Sequence, residues 1–368
     1  MAKHMPPIQK RLIDAAVEIR QEDSDEIIYQ HGIFAQVGLP RSKQQGRTFE
    51  RKFKNASIEI EAGKLWLGGK WVEQPLPYGP KPRLALIHLN SEAIRTQSPQ
   101  IEIGRSVSEF LLRIGLPDQD GRAYNMFKRQ MMALAAATLS IGFTIDGVDT
   151  TLRTIPIEEF KAWIVNNEKQ GALWPGELTL SRSYFESLKA HAVPLDPRAV
   201  GALSHSALAL DWYNFLSRRL YQLNRPVKLP FLSLQEQFGQ EYTSKTSYQD
   251  FKKEFLKVNK QVLAVYPEAI VKQVIGGLVL NPSHPPVKAI TKSRRIAKEA
   301  LKVLPSHDTT GNLTERTLER FRELWPRLDV YACKTDFDQW VSGKTQKPID
   351  YNRAFFGFSK KWAKKQSA

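Results

Sequence analysis

One succession of residue patterns occurs twice in this chain, and it restricts the fold to few choices. Residues 82–95 place Leu84, Ile87, His88, Ala93 and Ile94 on a helical period. Residues 100–103 read as a short strand. Residues 106–114 are helical again: Ser106 suits the N-cap, Glu109 completes a capping box and Gly115 stops the helix. A loop holding Pro117, Asp118 and Asp120 leads to a third helix over 121–138. Two extended stretches follow, 139–145 and 148–155, joined at Asp146-Gly147, a strong hairpin signal. The second occurrence begins with helical residues 181–190 and 197–223. A strand over 227–231 and a short helix over 233–238, ended by Gly239, come next. A polar loop, a helix over 247–266 and a hairpin of 269–275 with 278–280, turning at Gly276-Gly277, complete it. Helix, strand, helix, turn, helix, hairpin is the order of a winged helix, the hairpin being the wing. The expected class is α+β, mostly helical, with two tandem winged helices at 79–181 and 182–285. The halves share element order and not sequence.

The flanks read differently. Residues 1–78 form an N-terminal extension, expected to pack on the first winged helix. It carries a helix over 6–22, with Ile8, Leu12, Ala15, Val17 and Ile19, and an extended stretch at 33–37. Alternation over 57–61 and 64–67 around Ala62-Gly63 predicts a β-hairpin. Four prolines between residues 74 and 82 make a connector. Pro282, Pro285 and Pro286 end the second unit. A basic helix and linker over 286–312 then lead to a small basic, aromatic-rich helical module over 313–368. Trp325, Tyr331, Trp340, Phe355, Phe356, Phe358 and Trp362 are expected to supply its core, with a peptide-binding surface as the alternative.

Charge narrows the partner. Lys and Arg number 54 against 38 Asp and Glu, a formal charge of +16 in 368 residues. Such a surplus selects a polyanion, and nucleic acid ahead of lipid. Residues 41–54 hold six bases (Arg41, Lys43, Arg47, Arg51, Lys52 and Lys54) and one acid, Glu50. Residues 286–368 hold 18 bases and nine acids, hence +9.

Several chemistries are excluded by what the sequence lacks. No apolar run approaches the ~18 residues of a membrane span. No secretory signal precedes residue 10, and the single cysteine, Cys333, makes no internal disulfide, so a cytoplasmic setting is expected. Ser342-Gly343-Lys344-Thr345 ends like a P-loop, but Asp338 stands where that motif needs glycine. The seven histidines lack zinc spacing, and no His pair accompanies a nucleophilic tyrosine. No metal, no cofactor and no enzymatic activity are expected.

In a helix–turn–helix protein the second helix of the motif enters the major groove, where Arg suits guanine and Asn suits adenine. In the helix over 121–138, Phe127, Met131 and Leu134 take one side. Arg122, Asn125 and Arg129 take the other, with Lys128 flanking and Tyr124 near the start. The helix contains no acid, so nothing on it repels phosphate. In the second unit Tyr248, Phe251, Phe255, Val258 and Val262 form the buried stripe. Gln249, Lys252, Lys253, Lys257, Asn259 and Lys260 remain for the other side, with Thr246 or Ser247 as cap. Base contacts are assigned to Arg122, Asn125, Arg129, Gln249, Lys252 and Lys253. Phosphate contacts are assigned to Arg105, Arg113, Lys128, Lys257 and Lys260.

The stretches from Tyr78 to Arg95 (YGPKPRLALIHLNSEAIR) and from Ser98 to Arg113 (SPQIEIGRSVSEFLLR) resemble plasmid-encoded replication initiators of the RepA type. Gly38 to Arg41, Ala172 to Pro175 and Ala192 to Asp196 are similar to the same family, and Ala354 to Phe358 resembles tails seen on some of its members. The resemblance implies tandem winged helices that bind directly repeated double-stranded sites (iterons) at a plasmid origin in a bacterial cytoplasm. It implies opening of the neighbouring duplex, recruitment of host replication proteins such as a helicase or host initiator, and a homodimer–monomer switch. A winged-helix transcriptional autorepressor is the alternative, with a relaxase or nuclease behind it.

Overall fold

The computed structural model describes residues 6–53, 56–102, 121–145, 148–163, 174–242, 246–288, 313, 315–326, 328–343, 348 and 351–366. The chain divides into two compact units, residues 1–288 and 289–368. The first is built from helices and small antiparallel sheets, the expected α+β class, and the described residues of the second are helical.

The first unit has two apolar cores, and helix α2 (Pro80–Thr96) serves both. Gly79, at φ 82°, turns the chain into it, and Pro80 starts it where no amide partner is needed. Leu86, Leu89 and Ala93 face the first core; Leu84 and Ile87 face the second. The first core also takes Phe127, Met131 and Leu134 from α3 (Gly121–Ala136). These three are the apolar side expected of that helix. The helix expected over 106–114 lies outside the described residues.

Strand β6 (Gln100–Glu102) pairs with β10 (Trp174–Leu180), which pairs with β9 (Ile157–Trp163), so the sheet order is β6-β10-β9. This corrects the position of the hairpin expected to be the wing. Strands β7 (Thr138–Ile145) and β8 (Val148–Thr154) do form a hairpin, but they do not join β6. They extend a sheet of β2 (Thr48–Phe53) and β3 (Ala56–Glu61) in the order β2-β3-β7-β8. The reason is a matched apolar surface: Ile58 and Ile60 of β3 register with Ile141 and Leu139 of β7, and all four are buried. The turn residues 146 and 147 lie outside the described residues.

The hairpin expected around Ala62-Gly63 is also corrected. β3 pairs with β2, while β4 (Lys64–Leu67) pairs with β5 (Lys70–Glu73). Gly63 joins two hairpins instead of turning one. A Cβ there would sit 2.1 Å from the Ala136 carbonyl oxygen at the end of α3, so the glycine is required by close approach.

The second core lies around Trp212 of α6 (Ala207–Arg219). Phe231 and Phe238 reach it from α7 (Phe231–Phe238), and Phe251, Phe255, Val258 and Val262 from α8 (Ser247–Val265). Its sheet, β12 (Val227–Pro230), β13 (Val271–Val274) and β14 (Gly277–Leu280), is ordered β12-β14-β13. Gly276 takes the positive φ of the turn, 79°, and a Cβ on Gly277 would lie 2.2 Å from the Leu229 carbonyl oxygen.

The N-terminal extension divides between the cores. Helix α1 (Pro7–Gln21) buries Ala15 and Ala16 in the second core, not the first as expected. Arg20 donates to the Ala264 carbonyl at 3.1 Å, at the end of α8. β1 (Ile28–His31) pairs with β11 (Ala192–Leu195), which precedes α5 (Pro197–Leu203). Arg198 of α5 donates to the Glu22 carbonyl at 3.1 Å.

His31 ends β1 in a closed setting. Its Nδ1 accepts from the Ile33 amide at 3.1 Å, which leaves the proton on Nε2 to donate to Ser187 Oγ at 3.0 Å. Burial first, then the charges of His191 and Arg218, push its pKa down from 6.5 to about 4. The unfolded chain takes up this proton below about pH 6.5, and the folded chain does so only near pH 4. Stability is therefore fully present above pH 6.5 and falls across that window by roughly 3 kcal/mol. Urea melts at pH 7 and pH 4.5 are expected to show this fall, reduced in His31→Asn. An equal fall in both proteins would assign it to other groups.

The second unit packs α9 (Glu315–Leu324), α10 (Val330–Ser342) and α11 (Tyr351–Gln366) around Phe321, Val330, Cys333, Phe337 and Phe355. Asp329 caps α10 by accepting from the Tyr331 amide at 2.8 Å. Trp325, Phe358 and Trp362 pack on this core, so most of the aromatic residues noted in the sequence are structural here. Tyr331 and Trp340 are exposed.

Candidate nucleic-acid interface

Two helices carry the residues singled out for DNA, and burial sorts them. On α3, Asn125 and Arg129 are exposed on the side opposite Phe127 and Met131. Lys128 is half-buried, and burial lowers its pKa. The side chains of Arg122 and Tyr124 lie outside the described residues, as do Arg105 and Arg113 entirely. Gln130, which the sequence left unassigned, turns inward and accepts from the Tyr78 amide at 2.7 Å.

On α8, Gln249, Lys253, Lys257 and Lys260 are exposed and recur at i, i+4, i+8 and i+11. That spacing lines them along one face. Lys252 does not join them: its ammonium lies 4.9 Å from the Phe231 ring centroid, tying α8 to α7. Asn259 is a correction. It is buried and accepts from Trp212 Nε1 at 2.9 Å, so it belongs to the core. The cap also differs. No side chain caps α8; the Thr246 hydroxyl donates to Asp250 Oδ2 at 2.6 Å, and Ser247 Oγ accepts from Gln235 Nε2 at 3.4 Å.

Unlike α3, α8 mixes its charges. Asp250 and Glu254 are exposed beside Lys253. Glu254 accepts from the Tyr242 hydroxyl at 2.6 Å, and burial followed by that carboxylate pushes the Tyr242 phenol up, so it stays a donor. Hydroxyl groups thus engage both carboxylates, and Lys253, Lys257 and Lys260 stay exposed.

Two bases of the block over 41–54, Arg41 and Arg51, turn inward, while Lys43, Arg47 and Lys52 are exposed and Lys54 lies outside the described residues. Arg51 Nη2 lies 2.6 Å from Glu241 Oε1, and the amides of Arg41 and Ser42 both donate to the Glu241 carboxylate at 2.9 Å. Burial pushes the Glu241 carboxyl up. The Arg41 amide, the Ser42 hydroxyl and the charges of Arg41 and Arg51 outweigh it and hold the group below its ordinary value. Burial also lowers Arg51 to about 10. Glu241 lies between α7 and α8, so this cluster fastens the N-terminal extension beside the start of α8. Beneath it, Arg83 makes a two-pronged pair with Asp211, at 2.7 and 2.8 Å, and donates to the carbonyls of Leu39, Pro40 and Gly79. Block composition could not separate Arg51 from a surface base, because the partner, Glu241, is 190 residues away.

Among the described residues no three His, Cys, Asp or Glu side chains converge to hold a metal ion, and no helix is long and apolar enough to cross a membrane.

No curated protein sequence matches this chain. Two solved structures of RctB are similar in outline. One, of domains 2–3, has 11% identity and a TM-score of 0.42, covering 67% of this chain and 94% of that one. The other, of selenomethionine derivatives of domains 2 and 3, has 10% identity and a TM-score of 0.41, covering 62% and 83%. Over residues 76–228, from the loop before α2 into β12, the chain matches the family described as plasmid encoded RepA protein.

Proposed function

We propose that this chain is a plasmid replication initiator that binds double-stranded repeats at its origin through two tandem winged helices, with α3 and α8 as recognition helices. The observation that carries the reading is the repeated strand order. β6-β10-β9 and β12-β14-β13 both place the last strand between the other two, and in each case one of the two helices, α3 or α8, lies in the chain between the first strand and the last two. In the first unit β9 and β10 take the place of the wing, and the β7–β8 hairpin is an insertion between recognition helix and wing. Each recognition helix presents long donors outward: Asn125 and Arg129 on α3, Gln249 and Lys253 on α8. The family match covers α3 and stops before α8, so the second half rests on topology and charge. Opening of adjacent duplex, recruitment of host replication proteins, a dimer–monomer switch, a cytoplasmic bacterial setting and the absence of catalysis complete the proposal.

DNase footprinting across the DNA flanking the gene, at about 150 mM salt to suppress non-specific binding, tests it. Regularly spaced protection over direct repeats is the expected result. Protection of an inverted repeat at the promoter alone would establish the autorepressor instead. Site-specific nicking of supercoiled DNA with Mg²⁺ would overturn the non-enzymatic reading.

A further inference from the structure

Hairpin β4–β5 carries two tryptophans that the duplex-binding reading does not use. Trp66 and Trp71 stand directly opposite each other across the strands, with ring centroids 5.5 Å apart and planes at 68°. They remain 59% and 65% exposed, rare for side chains this large and apolar. The other face of the hairpin already anchors it. Leu67 is buried, and Leu65 packs against the first core. The turn residues Gly68 and Gly69 both have positive φ, 58° and 78°, as a two-residue hairpin turn demands. The hairpin is thus fixed without burying its indoles. An edge-to-face pair covers at most one ring face, so open π surface remains.

The charge around the pair favours an anion. Lys64 and Arg47 both reach Glu73, at 3.2 and 3.1 Å, so two cations neutralise the one acid beside the indoles. Lys70 is exposed at the turn. Open aromatic faces flanked by surplus cations are what unpaired bases on a phosphate backbone require, since every base stacks and every phosphate is negative. A duplex offers no such faces, because its bases stack on one another. The pair also stands near the C-terminal end of α3, where Gly63, just before β4, packs on Ala136.

We infer that Trp66 and Trp71 form a stacking site for single-stranded DNA, flanked on the same face by Lys64. The reading of the chain as an initiator supplies the source of that strand, the opened duplex beside the bound repeats, but the site can be tested without it.

The test uses the full chain and compares Trp66→Ala/Trp71→Ala with the natural protein. Anisotropy is measured on a short labelled oligo(dT) and on a duplex of equal length. The expected result is about a tenfold or greater loss of oligo(dT) affinity with duplex affinity kept within about twofold. Trp66→Phe/Trp71→Phe, which keeps two aromatic faces, is expected to retain most of the oligo(dT) binding. Circular dichroism melts check that all three proteins fold alike. Equal oligo(dT) affinity in the natural and alanine proteins would overturn the inference, as would an equal loss on duplex. A change of sedimentation in the alanine variant, with oligo(dT) binding intact, would make the pair a contact between copies of the chain. Loss of the origin footprint with the oligo(dT) result standing would overturn the initiator reading and leave this site in place.

Discussion

Asp211→Ala is expected to destabilise residues 1–288 by about 3–5 kcal/mol, the usual result of removing one partner from a buried ion pair. Arg83 and Asp211 are both nearly inaccessible, with side-chain exposures of 4% and 8%. The alanine leaves the buried guanidinium on three backbone carbonyls without its paired carboxylate. Total stabilities of domains run near 5–15 kcal/mol, so such a loss takes up much of the margin. The pair also connects α2, which contributes to both cores, with α6, which centres the second. Urea denaturation measures the loss. Replacing both charges, as in Arg83→Met/Asp211→Leu, is expected to recover most of it, because neither member of the pair is then left buried without the other. A loss below about 1 kcal/mol in the single variant would show that water reaches the site.

The largest functional effect is expected from Arg129→Ala combined with Lys253→Ala. Each side chain is exposed on its own helix, α3 or α8, so neither substitution should alter stability by more than about 0.5 kcal/mol. If each reads a base, each costs about 1–3 kcal/mol on the footprinted repeat. The two helices belong to separate sheets and cores, and distant sites add, so the double variant should lose roughly 2–6 kcal/mol. The low end is about a 30-fold weaker Kd. Titration of both single variants and the double variant on the repeat and on random duplex reads the effect. Equal losses on both DNAs would make these residues phosphate contacts. A double loss no greater than the larger single loss would mean that the two helices do not engage one site together.

Sequence by itself determined the elements with strong local causes. The apolar period fixed the buried sides of α3 and α8: Phe127, Met131, Leu134, Phe251, Phe255, Val258 and Val262 are all buried as their spacing requires. Gly276 placed the β13–β14 turn because only a residue free of Cβ strain sits readily at its φ. The exposed donors on both helices follow from the same periodicity. What only the tertiary structure decided was which element meets which. Alternation gives β3 a buried face but does not say whether β4 or β7 covers its edge, and registration of four buried side chains chose β7. The β7–β8 hairpin joined β3 and not β6 for the same reason, since strand pairing is non-local. Asn259 looked like a groove-facing amide until Trp212, 47 residues away, supplied the donor that holds it in the core. Arg51 and Arg83 look like any other base in a +16 chain; the acids that bury them lie 190 and 128 residues distant. A side chain's own chemistry states what it can bind. Its distance in space from a partner, which no local pattern encodes, settles whether it faces inward or toward DNA.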